Sequence, residues 1–120
     1  MCRTIRAIAF EENGWWVAQC LEYDIAAQAK TFEKLIHELY RLLLGYSVIG
    51  KKENIDVWGG KSKAPVVFWK LFHRHGKKVM LASDPYNSVN EPRPRLVEVR
   101  IVKRKATTLT ACLGVRRSHE

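Results

Sequence analysis

Over the first thirty residues short runs of aromatic and aliphatic side chains are set among polar ones in the manner of strands, and from Thr31 apolar side chains recur at every third and fourth position. Thr4, Arg6, Ile8 and Phe10 fall on one side of an extended chain and Ile5, Ala7 and Ala9 on the other. This suits a strand with both faces partly covered. Glu11-Glu12-Asn13-Gly14 follows, and Asn-Gly is a strong hairpin signal because both residues tolerate the positive φ of a type I′ turn. Trp15 to Cys20 returns as a second strand, with Trp15, Val17 and Gln19 opposite Trp16, Ala18 and Cys20. Glu22-Tyr23-Asp24 makes a loop, and Ile25 to Ala29 a short third strand, so the front of the chain is a meander.

The helical rhythm begins at Thr31, whose hydroxyl can accept from the free N–H groups of a first turn. Glu33 suits the positive end of the helix dipole. Phe32, Leu35, Ile36, Leu39, Leu42 and Leu43 make one apolar stripe, while Glu33, His37, Glu38 and Arg41 face away. Gly45 reads as the left-handed residue that ends this helix, giving bounds of 32–44. Residues 50–64 are a loop by composition. Pro65 can open a second helix running to His75, with Val67, Phe68, Leu71 and Phe72 buried, although the same residues also permit a strand. Residues 82–95 carry three prolines and cannot hold regular structure for long. Leu96 to Val102 alternates as a strand. The expected fold is α+β: a small antiparallel sheet with the order β-β-β-α-…-β, covered by one main helix. It occupies residues 1–102 as a single domain with a loop-rich insertion at 50–95, and 103–120 form a basic mobile tail.

Composition changes this picture in two ways. Hydrophobic residues are 47% of a 120-residue chain, enough for a core without metal or disulfide staples. The three cysteines, Cys2, Cys20 and Cys112, have no framework spacing, and no basic stretch followed by an apolar run opens the chain. A reduced, cytoplasmic protein with no membrane span is the expectation. The net charge of +9 is uneven. Residues 1–50 hold five basic and six acidic side chains, and the rest hold sixteen Lys/Arg against six Asp/Glu. A polyanion would therefore meet the back of the molecule and a basic partner the front.

Candidate chemistry is sparse. Glu22 and Asp24, with Glu11 and Glu12 near by, fall in a loop and a turn, where carboxylates are commonly solvated rather than converging on a metal. Cys20 and His37 lack a third, orienting group, and a cysteine within an apolar strand is usually a small hydrophobe. His73-Arg74-His75 stands two apart on a helix, which separates the rings, and Gly59-Gly60 lacks phosphate-loop spacing. No cofactor or catalytic residue is implied. An outward tryptophan at Trp15 or Trp16 beside Tyr23 fits a partner-binding surface better, as an interface anchor or a base-stacking platform. The competing surface is the basic run, with Arg100, Lys103, Arg104 and Lys105 as nucleic-acid contacts and Arg93 and Arg95 beside them.

The run GWWVAQCLEYDIAAQAKTFEKLIHEL resembles the N-terminal module of HicB-like antitoxins. In that family a Gly-aromatic-x-Val/Ala-x-Cys strand leads through an x-Glu-x-Asp-Ile loop to a small-Gln-Gly-x-Thr turn that opens a helix. Here the elements fall at Gly14–Cys20, Leu21–Ile25 and Ala27–Thr31, with Ala29 in place of the usual glycine. The similarity covers about residues 3–45. It implies a degenerate ribonuclease H-like module without catalytic acids, self-association as a homodimer or higher even oligomer, and inhibition of a small basic HicA-type toxin ribonuclease. The partner-binding residues would be Trp15, Trp16, Glu22, Tyr23 and Asp24. Residues 50–120 show neither a ribbon-helix-helix nor a helix-turn-helix pattern.

Overall fold

A computed structural model describes residues 3–74, 76–79, 81 and 83–103. Strand β1 (Thr4–Glu12) turns at Asn13-Gly14 into β2 (Trp15–Cys20), and β3 (Ala26–Ala29) completes the meander. Asn13 and Gly14 have φ of 54° and 81°, as a type I′ turn requires. Helix α1 (Phe32–Glu53) follows, then α2 (Val66–Arg74), β4 (Lys77–Val79) and β5 (Arg95–Ile101).

The five strands lie in the order β3-β2-β1-β5-β4. The expected all-antiparallel sheet is corrected here to a mixed one, because β5 runs parallel to β1. A parallel neighbour needs a long crossover, and the helices between β3 and β5 provide it. The fifth strand, β4, pairs antiparallel with β5 at the edge.

The regular alternation expected for β5 is also broken. A bulge lets Ile5 face Leu96 while Arg6 faces Glu98, leaving Val97 unpaired and 39% exposed. Leu96 and Val99 thereby share one core, and Glu98 and Arg100 point to the opposite face.

Thr31 caps α1 as expected, its hydroxyl accepting from the Lys34 N–H at 3.1 Å. The helix does not stop at Gly45. It continues to Glu53 and closes on Asn54 in the left-handed conformation, with Ile55 N–H donating to Gly50 O at 2.8 Å. One interior glycine costs about 1 kcal/mol, and burial of Ser47 and Gly50 beyond it continues the packed side of the helix.

Two cores result, one on each face. Leu35, Ile36, Leu39, Tyr40 and Leu43 of α1 pack on Ile5, Ala7, Ala9 and Ala18. Phe68, Leu71 and Phe72 of α2 pack on Ile8 and Phe10. So a second helix shares with the main one the work of covering the sheet.

Candidate partner-binding surface

The five front residues singled out by the sequence lie at two ends of β2. Seven residues separate Trp15 from Glu22, which is roughly 20 Å or more along an extended chain. They therefore form two clusters rather than one pocket.

At the hairpin end, Trp16 turns inward, with its ring edge on Phe32 at a centroid distance of 5.2 Å. Trp15 turns outward and is 36% exposed, the only exposed Trp, Tyr or Phe among the described residues. Lys30 Nζ sits 4.2 Å from its ring centroid. The ring face thus already holds a cation, as the quadrupole of an indole favours. Glu11 stands exposed across the strand pair from Trp16.

At the loop end the carboxylates are engaged inside the molecule. Glu22 accepts from the Arg6 backbone N–H and from Arg6 Nε, both at 2.7 Å. Asp24 accepts from Gln19 Nε2 at 2.8 Å, and its own N–H donates to Ser62 O at 2.7 Å. Tyr23 packs edge-on against Trp58 at 4.9 Å, and the Trp58 indole N–H donates to Ser47 Oγ at 2.9 Å. These residues pin the segment from Asp56 to Ala64 beside the meander. Asp24 stays exposed, while Glu22 and Tyr23 are half-buried.

Reactive chemistry finds little support in the same region. Cys20 is fully buried, and burial, followed by the nearby charges of Glu22 and Asp24, pushes its thiol up to about 12. It remains protonated at neutral pH, so no thiolate nucleophile forms there. His37 lies exposed on the outer side of α1 against the Tyr86 ring. His73 is exposed on α2, and His75 lies outside the described residues. No group of three or more His, Cys, Asp or Glu that could hold a metal occurs among the described residues.

The basic candidates divide in a way the sequence did not reveal. Arg93 is largely covered, its side chain 11% exposed, and it acts as the clamp of the 84–91 loop. Its guanidinium donates to the carbonyls of Tyr86, Val89 and Glu91 and to Asp84 Oδ2. A cleft of about 580 Å³ opens beside it, lined by Tyr40, Leu81, Asp84 and Leu96 among others. Arg100 is equally committed. Its Nε bonds Glu98 at 2.7 Å, its Nη1 donates to Phe72 O at 2.8 Å, and its guanidinium lies 4.2 Å from the Phe72 ring centroid. The Arg100 guanidinium holds the Glu98 carboxyl below its ordinary value. Arg95 and Lys103 are exposed, and Arg104 and Lys105 lie outside the described residues. The bond from Arg100 to Phe72, 28 positions away, joins residues too far apart in sequence to have been read. The contacts of Arg93 and the Glu98–Arg100 pair lie within nine positions, but in irregular chain or on one strand, where spacing alone does not announce them.

The geometry defines an α+β protein with a five-stranded mixed sheet between two helices and an exposed aromatic at a hairpin end. Among the described residues no helix is long and apolar enough to cross a membrane. Compared with protein-family models, curated proteins and solved structures, the chain has no match.

Proposed function

We propose that the protein is a non-catalytic, HicB-like binding module and acts as the antitoxin of a type II pair, holding a small basic HicA-type ribonuclease on its front. The observation that carries this reading is the outward Trp15, presented at the end of a rigid hairpin and already accepting a cation from Lys30. An arginine or lysine of a basic partner can take that place, because a cation over indole gains more as water is excluded. Glu11 and Asp24 are exposed at the two ends of β2. A footprint of roughly 800 Å² per partner spans that length. The resemblance at Gly14–Thr31 adds the expectation that such a partner is a toxin and that the module pairs with a copy of itself.

The test is neutralisation. Co-expression of the full chain should relieve growth arrest by a HicA-type ribonuclease encoded beside it, and Trp15→Ala should weaken the complex by at least tenfold through faster dissociation. Reversing Glu11 and Asp24 to lysine should slow association and leave the fold intact. A chain that neither binds nor neutralises such a ribonuclease would sink the reading.

A further inference from the structure

From Val57 to Ser83 the chain contains no Asp or Glu and six Lys/Arg: Lys61, Lys63, Lys70, Arg74, Lys77 and Lys78. The structure concentrates three of them. Lys70 and Arg74, four apart on α2, share its outward side, and both are exposed. The helix ends with Gly76 N–H donating to Leu71 O at 3.1 Å, and on β4 the exposed Lys78, paired with Arg100, shares the face that α2 covers, while Lys77 turns to the other face. Arg74 and Lys78 are four positions apart, a reach of about 14 Å in extended chain. Gly76 between them lies close against β5, since a Cβ added there would lie 2.6 Å from the Cβ of Arg100.

Neither Lys70 nor Arg74 makes an ion pair within the described residues, and Lys78 makes no direct one, although its charge reaches Glu98. Glu98, the one carboxylate of β5, is taken by Arg100. Lysines on an edge strand also discourage pairing with another sheet. That role accounts for Lys77 and Lys78 but leaves Lys70 and Arg74 without a purpose. Between the charges lies a ring pair, Trp69 stacked on the exposed His73 with centroids 6.5 Å apart.

We infer that the outer side of α2 and the adjoining β4 bind the phosphate backbone of single-stranded nucleic acid, with His73 on Trp69 as a stacking platform for a base. Exposed cations beside rings suit a chain of phosphates and unpaired bases. A lipid surface would need apolar side chains to insert, and on this side only Val66 is exposed. This site is separate from the Trp15 surface and does not depend on a toxin partner.

Fluorescence anisotropy of the full chain with labelled ~20-nucleotide poly-U RNA and poly-dT DNA tests it. Both should bind comparably, with a log–log salt slope near −2 from three phosphate contacts at about −0.7 each. Lys70→Glu with Arg74→Glu should weaken binding at least tenfold at low salt. Lys34→Glu with Lys52→Glu, the same charge change on α1, should alter it by less than threefold. His73→Ala should weaken binding severalfold and leave the salt slope unchanged. Equal loss in both charge-reversed pairs would assign the binding to net charge, and undiminished binding by the α2 pair would assign it to residues elsewhere, such as Arg104 and Lys105. Either result overturns the inference, as would absence of binding at about 50 mM salt or tighter binding to anionic phosphatidylserine vesicles.

Discussion

On one face of the sheet a 22-residue helix lays Leu35, Leu39 and Leu43 over Ile5, Ala7 and Ala18. On the other, a nine-residue helix has three buried side chains, Phe68, Leu71 and Phe72, and the rest of that face is finished by arginines. Arg6 lies 5.2 Å from the Trp69 ring centroid and is held by Glu22, while Arg100 lies over Phe72 and is held by Glu98. A long stripe closes a sheet by apolar contact alone. A short one leaves strand positions beside it half covered, and only a guanidinium with a long apolar stem, an aromatic ring below and a carboxylate partner fills such a place without stranding a charge.

The first consequence of this contrast concerns the apolar face. Leu39 is fully buried, so Leu39→Ala should lower unfolding free energy by roughly 2–5 kcal/mol, read by denaturant titration. A loss near zero would mean that α1 does not close its face in the way its packing indicates.

The polar face should give way to a different change. Glu22→Ala removes the acceptor of two Arg6 bonds and leaves the half-buried guanidinium unpartnered, at a cost of about 1–3 kcal/mol. Glu38, half-buried itself but paired with the exposed Arg41 on the outer side of α1, is the control. Glu38→Ala should cost under about 1 kcal/mol, since surface ion pairs contribute little. Equal costs at the two sites would erase the distinction between an arginine that completes a face and one that merely decorates a helix.

The smallest effect has the opposite sign. Gly45 lies within α1, and a Cβ there would meet nothing within 4 Å. Gly45→Ala should therefore stabilise the fold by about 0.5–1 kcal/mol, seen as a raised Tm. A destabilised variant would show that the helix needs flexibility at its middle.

Local physics was legible where neighbours in sequence are also neighbours in space. Asn13-Gly14 announced a turn, Thr31 a cap, and the stripe from Phe32 to Leu43 a buried helix side, because turn geometry, capping and helical period involve only a few adjacent residues. The helix end was misread for the same reason: Gly45 is a local stop signal, and packing further along the helix carries the chain past it. The candidate site was half legible. An outward tryptophan followed from the alternation of β2, whereas the commitment of Glu22 to Arg6 did not.

What the sequence by itself determined is thus the identity of the strands β1 to β3, the start of α1, and the split of charge between front and back. Tertiary structure alone decided that β5 runs parallel to β1, that a bulge at Val97 turns Glu98 and Arg100 toward α2, and which basic residues remain available. Arg93 and Lys70 carry the same charge, yet one is a largely covered loop clamp and the other faces water. The worth of a charge depends on its desolvation and on partners brought near by the fold, and neither is encoded in the residues beside it.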